Sequence, residues 1–259
     1  MAVGKRRDSR MHRRYGGYLM KIKTVATIAM REFKAYFLSP IAYVYLITFL
    51  VVAHWIFLRG FFLAGQATLR EFFNLMPWIY LFFVPAVAMG KWAEERKSGT
   101  IELILTLPIS EIEVVLGKFF AGLGLLAAAL FFTFPLLLTV IALGSVDWGS
   151  IFGGYLGLLL LGGAYLSVGL WISSLTQNQI IAFILGVVGC FVLLIVGEPL
   201  GTMTASAWLL SLLQYLGVGT HFDAIGRGVI DSRDILYYFS LIGLFLLFNL
   251  KSVEGRAWK

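Results

Sequence analysis

The sequence predicts an all-α integral membrane protein with six transmembrane helices, and three observations carry that prediction. Of its 259 residues, 59% are hydrophobic and only 14% charged, where an ordinary soluble domain carries about a quarter charged residues. Mean hydropathy is +0.87, and the apolar residues gather in charge-free runs long enough to cross a bilayer. The basic residues alternate in abundance from one connection to the next, as they do when a chain crosses a membrane repeatedly. The 28 glycines against 6 prolines suit helices that approach closely in lipid. The single cysteine, Cys190, excludes an intramolecular disulfide framework and a thiolate metal cluster and reads as a packing thiol.

A spanning helix needs about 20 mostly apolar residues, because each rises about 1.5 Å and the hydrocarbon core is about 30 Å thick. Charge-free runs of that size fall at 35–58, 72–90, 119–146, 148–197 and 235–250. The fourth is too long for one crossing. Its polar interruption, SSLTQNQ at 173–179, divides it into a helix ending near Ile172 and another starting near Ile180, which gives six spans. The last run reaches the interface if Tyr237 and Tyr238 anchor one end and Lys251 snorkels at the other.

With six spans both termini share a side. Residues 1–34 carry ten basic side chains, 91–118 four and 251–259 three, whereas the opposite side has only Arg59, Arg70, Arg227 and Arg233. The positive-inside rule therefore puts both termini in the cytoplasm of a multi-pass protein of the cell (inner or plasma) membrane. No short apolar core with a small-residue cleavage site follows the basic start, so it does not read as a secretory signal. The formal charge of +7 records topology and contact with anionic lipid headgroups rather than nucleic acid.

Residues 1–20 read as a disordered basic arm. From 21 to 38, Ile22, Val25, Ala26, Ala29, Phe33, Tyr36 and Phe37 recur at helical steps, with Lys23, Thr27, Arg31 and Lys34 on the other face. That is an amphipathic interfacial helix with a basic face suited to membrane lipids. Ser39 and Pro40 read as N-cap and first turn of the first span. The six-span domain occupies 39–250, and 251–259 is a cytoplasmic tail.

The connection after the second span, KWAEERKSGTIELILTLPISEIEVVLGK at 91–118, holds nine charged residues in a chain otherwise poor in them. Lys91 and Glu95 have i, i+4 spacing for an ion pair, Gly99 suits a helix C-terminus, and Ser110 with Glu113 forms a capping-box pattern. A short charged helix, a glycine hinge, an apolar turn at 101–105 and a break at Pro108 follow. Apolar Ile101, Leu103, Ile104 and Leu105 beside the charges favour docking, to a partner or to the amphipathic helix, over a solvated loop. Between the fifth and sixth spans, 199–222 is apolar but broken by glycines, and reads as a re-entrant or interfacial helical pair before a polar turn at 223–234.

Ionisable groups that serve chemistry inside a membrane converge, because each is costly there. His54 and Glu198 stand alone, and His221 with Asp223 lacks metal-ligand company. The P-loop pattern is absent: Gly90–Lys91 and Gly117–Lys118 are followed by Trp92 and Phe119. The chain is therefore not read as an ATPase, and catalytic, cofactor and metal residues are expected to be absent.

Three stretches, REFKAYFLSPIAY (31–43), WAEERKSGTIELILTLPISEIEVVLGK (92–118) and RGVIDSRDILYYFSLIGLFL (227–246), resemble the ABC-2 type exporter permeases, closest to the gliding-motility (GldF-like) branch. The resemblance implies a six-span subunit without its own ATPase. It implies pairing with a second permease subunit, identical or different, and docking on a separate ATP-binding-cassette subunit that holds ATP and Mg. In such proteins the amphipathic helix is the elbow and the first cytoplasmic loop carries the coupling helix. The residues matching the loop pattern are Glu94, Glu95, Arg96, Lys97, Gly99, Thr100 and Glu102, and those matching the elbow are Arg31, Glu32 and Phe33. The competing reading is a non-transporting membrane scaffold that recruits a cytoplasmic partner through the 91–118 loop.

Overall fold

The computed structural model describes residues 22–64, 68–101, 109–144, 146–197 and 207–255, and the regular structure among them is helical. The basic arm, the segment 102–108 with Glu102, Pro108 and most of the apolar turn, Glu198 and the end of the tail lie outside the described residues.

Helix α1 (Ile22–Leu38) is the amphipathic segment. Its apolar side does more than lie on lipid. Val25 is buried, and Ile28, Phe33, Tyr36 and Phe37 pack against the core. The seat is cut by two glycines of the third-span helix: a Cβ on Gly117 would come within 2.4 Å of Ile28 Cγ2, and one on Gly124 within 3.3 Å of Phe33. Seven residues apart, they lie on one helix face and let the two backbones approach. The expected turn into the first span is present: the Ser39 hydroxyl accepts from the Ile41 amide at 3.3 Å, and Pro40 opens α2 (Pro40–Ala64), where its missing amide costs nothing.

Helix α3 (Arg70–Ala88) passes through Met89 into the charged α4 (Gly90–Lys97), which ends before Gly99 at φ +73°. Only a glycine adopts that left-handed conformation without strain. The capping box expected at Ser110 and Glu113 opens α5 (Glu111–Phe131), with the Ser110 amide donating to Glu113 Oε2 at 3.0 Å. The third apolar run is not a single helix: it breaks at Phe132–Thr133 and resumes as α6 (Phe134–Leu143). Pro135 is the cause, since it has no amide to donate and its ring crowds the preceding turn.

Helix α7 (Trp148–Leu175) is capped by Asp147, and α8 (Gln179–Ile195) by Asn178, each side chain accepting two backbone amides. The polar break between them is thus three residues, Thr176 to Asn178, rather than the seven read from composition. Two short helices, α9 (Ala207–Leu216) and α10 (Val218–Gly226), precede the last, α11 (Ser232–Glu254). The expected polar turn at 223–234 is shorter as well, because α10 continues to Gly226.

Among the described residues, five helical stretches are long and apolar enough to cross a membrane: 40–62, 70–97, 111–143, 148–175 and 232–254. The remaining expected span, α8, has 17 residues, which reach about 26 Å at 1.5 Å each, the short end of the spanning range.

Helix α7 is the hub, packing against α3, α4, α5, α8, α10 and α11. Glycines make that possible. A Cβ on Gly154 would meet the Phe73 ring at 2.5 Å, one on Gly169 the Ala88 methyl at 2.7 Å, and one on Gly153 the Ile225 carbonyl oxygen at 2.2 Å. Its two ends therefore hold two different assemblies, α10 and its following turn near Gly153 and the charged α4 near Ser173, about 30 Å apart along the helix.

Candidate functional site

Helix α4, GKWAEERK, is too short and too polar to be stable alone. Each face is tied to a different neighbour. Lys91 Nζ lies 3.1 Å from Glu32 Oε2 of α1 and sits 3.6 Å over the Tyr36 ring. Lys118 of α5, only 1% exposed, reaches back from the third-span helix: its Nζ is 2.5 Å from Glu95 Oε1 and 3.9 Å from Glu32 Oε1, donates to the Lys91 carbonyl at 3.0 Å and lies 4.8 Å over the Trp92 ring. Two carboxylates and two ammonium groups, from three helices, form one neutral cluster at the junction of elbow, charged helix and third span. The i, i+4 pair expected between Lys91 and Glu95 does not form. An exposed pair of that kind contributes only about 0.2–0.5 kcal/mol, whereas each charge here faces an opposite one on another helix in a partly buried site.

Burial alone would raise the Glu32 carboxyl, but Lys118 and then Lys91 outweigh it and hold it below its ordinary value. The folded value is thus lower than the unfolded one, so the stabilisation is complete above the ordinary glutamate range and is lost as pH falls through the folded value. Burial raises the Glu95 carboxyl in spite of Lys118, so Glu95 is the first of the two to take up a proton as pH falls, and the elbow, held by Glu32, is expected to loosen only at stronger acidity. Emission from Trp92, 1% exposed, should shift to the red there, and Glu32→Gln should move that transition.

The opposite side of α4 is tied to the end of α7. The Ser173 hydroxyl accepts from the Trp92 and Ala93 amides at 3.2 and 3.3 Å and donates to the Met89 carbonyl at 2.8 Å. A side chain of one helix thereby satisfies unpaired first-turn amides of another. The Arg96 guanidinium donates to the carbonyls of Ser174 at 2.5 Å and Thr176 at 3.5 Å, which places a cation on the negative end of the α7 dipole. Gln179, the first residue of α8, donates to Glu94 Oε1. Helix α4 is accordingly fastened to α1, α5, α7 and α8 at once.

These contacts sort the residues singled out in the sequence. Arg31, Glu94, Lys97, Gly99 and Thr100 are exposed, while Glu32, Phe33, Glu95 and Arg96 turn inward as fasteners; Glu102 lies outside the described residues. Lys91 and Lys118, read only as the ends of the loop, belong to the ionic cluster. Ser173, Ser174 and Gln179, read only as a divider between spans, complete the bracket. A signal for them was present: in a six-span plan the 173–179 break lies on the same side of the membrane as the 91–118 loop, and both are polar islands in an apolar chain.

At the far end of α7, His221 pairs with Asp234 at 2.6 Å rather than with Asp223, donates through Nε2 to the Tyr215 carbonyl at 2.9 Å, and stacks on Tyr237 with centroids 4.0 Å apart. Tyr238 donates to the Val218 carbonyl at 2.9 Å. These bonds clamp α10 to α11. His54 bonds the Leu50 carbonyl of its own helix at 2.8 Å. Among the described residues no three His, Cys, Asp or Glu side chains group as a metal site.

Residues 79–216, more than half of the chain, match the family model described as ABC-2 family transporter protein. That stretch holds α4, the Lys118 end of the ionic cluster and the Ser173–Gln179 half of the bracket. No curated protein matches the chain.

Proposed function

Because the chain belongs to the ABC-2 transporter family, we infer that it is the permease subunit of an ATP-driven exporter, working through a separate ATP-binding subunit. The family and the apolar helices make it a multi-pass membrane component of a transporter. The finer reading concerns how that component is driven. In it, two permease subunits enclose the path, both termini face the cytoplasm, and the outward face of α4 (Glu94, Lys97, Gly99, Thr100), flanked by Arg31 of the elbow, docks on the ATPase.

The observation that supports this reading is the fastening of α4 to four other helices. A ligand shifts a two-state element only through contacts that differ between the states. A partner that grips α4 and moves as ATP binds would carry the ends of α1, α5, α7 and α8 with it as one body, and rigid-body tilting of packed helices is a recurrent way to open and close a path. A loosely attached loop would dissipate the same displacement.

The test is charge reversal on the exposed face only, with Arg31→Glu and Lys97→Glu combined in the intact complex isolated from native membranes; Glu94 is left in place because it also accepts from Gln179. Co-purification of an ATP-binding subunit with the native chain, and about a tenfold weaker association or loss of transport-linked ATPase activity in the variant, is the expected result; tenfold corresponds to about 1.4 kcal/mol. Absence of any ATP-binding subunit from the native complex would overturn the reading. An ATPase whose rate is indifferent to the permease would favour the scaffold instead.

A further inference from the structure

Between α1, the start of α2, the end of α3 and α4 lies a cavity of about 320 Å³, within the range of small-molecule sites. Its polar wall is acidic on balance: Glu32, Glu94 and Glu95 face it against one cation, Lys91. Lys91 is already engaged by Glu32 and the Tyr36 ring, and Glu95 Oε1 by Lys118. Two buried oxygens of lining residues, Glu95 Oε2 and Tyr45 Oη, have no hydrogen-bond partner. Glu95 Oε2 can only accept and so calls for a donor, the Tyr45 hydroxyl can accept one or give one, and the charge of the wall is for a cation. The other wall is apolar, made by Ala42, Val87 and Leu125, and it runs out to Ile41, which is 70% exposed on the outer face of α2.

We propose that this cavity is a binding site for an amphiphile with a primary ammonium head. The ammonium offers three donors and one positive charge to Glu94, Glu95 and Tyr45, while the chain leaves along Ile41 onto the lipid-facing side of the first span. A phosphate-only or glycerol-headed lipid meets like charge or unpaired acceptors, and a permethylated ammonium has no N–H to donate. A soluble amine shares the head chemistry but leaves the apolar wall uncovered. Glu94 borders both this cavity and the face assigned to the ATPase, so the test is read on lipid retained by the permease chain alone, which a failure of the proposed coupling leaves untouched.

The test uses the full chain in detergent, with retained lipid read by native mass spectrometry. Phosphatidylethanolamine is expected to bind at least about tenfold more tightly than phosphatidylcholine or phosphatidylglycerol, a difference of about 1.4 kcal/mol. Glu94→Gln, which removes charge at an exposed position, and Ala35→Trp, which fills the mouth from another exposed position, should each abolish that preference. Retention of phosphatidylglycerol equal to phosphatidylethanolamine, or a preference unchanged in both variants, would overturn the proposal. Displacement of the lipid by equimolar free ethanolamine would overturn the amphiphile assignment in favour of a soluble amine. Should Ala35→Trp melt earlier than the native chain, Glu94→Gln alone decides.

Discussion

Replacing Lys118 with methionine is expected to destabilise the protein by about 3–5 kcal/mol, toward the lower figure because the cluster is not fully sealed. The side chain keeps its length and most of its volume, so the loss is not a cavity. What disappears is the cation 2.5 Å from Glu95 and the donor to the Lys91 carbonyl. Glu95 would retain 20% side-chain exposure and no partner on α5, and the cluster would become net negative. Removing Glu95 as well should restore much of the stability, since a buried pair replaced whole is far less costly than one broken in half. The double-mutant cycle of Lys118→Met with Glu95→Gln should therefore show a coupling of about 1–3 kcal/mol, read from denaturant midpoints of the detergent-solubilised chain. Additive effects would mean that Lys118 acts through packing on Trp92 instead. A cycle with Glu32→Gln should couple more weakly, in keeping with its separation of 3.9 Å.

The bilayer makes the class of this fold legible and hides most of its architecture. Length, charge-free runs and the capping residues Ser39, Ser110 and Gly99 mark helices and their ends, because a lone chain in lipid must satisfy its backbone within each helix. Pairing of helices is another matter. Nothing in the period of α1 says that its apolar side seats on Gly117 and Gly124, because a helix lying on lipid and one lying on protein carry the same pattern. Pro135 did mark a break, masked by a hydropathy that stays high across it. The charged loop stood out, yet its partners did not. Lys91 has Glu95 four residues away and chooses Glu32, 59 residues back; a local spacing rule ranks the weaker option first when the stronger one comes from another helix. Ser173 illustrates the same limit. A serine in a polar break looks like a turn residue, and only the fold brings the α4 amides to it.

The glycine contact at the other end of α7 carries an equally large effect. Gly153→Leu is expected to cost more than the usual 1–3 kcal/mol of an overpacked site, because the obstacle is backbone. The first carbon added would stand 2.2 Å from the Ile225 carbonyl oxygen and 3.2 Å from the Gly228 Cα. Neither can rotate away as a side chain would. Gly228 itself sits at φ +84° with its own missing Cβ aimed at Gly149, so the turn after α10 is held against α7 from both sides and has no slack. Moving that turn would pull on the clamp formed by His221 with Asp234 and Tyr238 with the Val218 carbonyl, releasing α10 from α7 and α11 together. Gly243→Ala is the matched control, since nothing lies within 4 Å of the added carbon and alanine favours the helix by about 1 kcal/mol. Thermal melting in detergent should place Gly153→Leu well below the native chain and Gly243→Ala at or above it. Equal melting of the two variants would mean that the α7 and α10 backbones part without cost and that the clamp holds the outer helices alone.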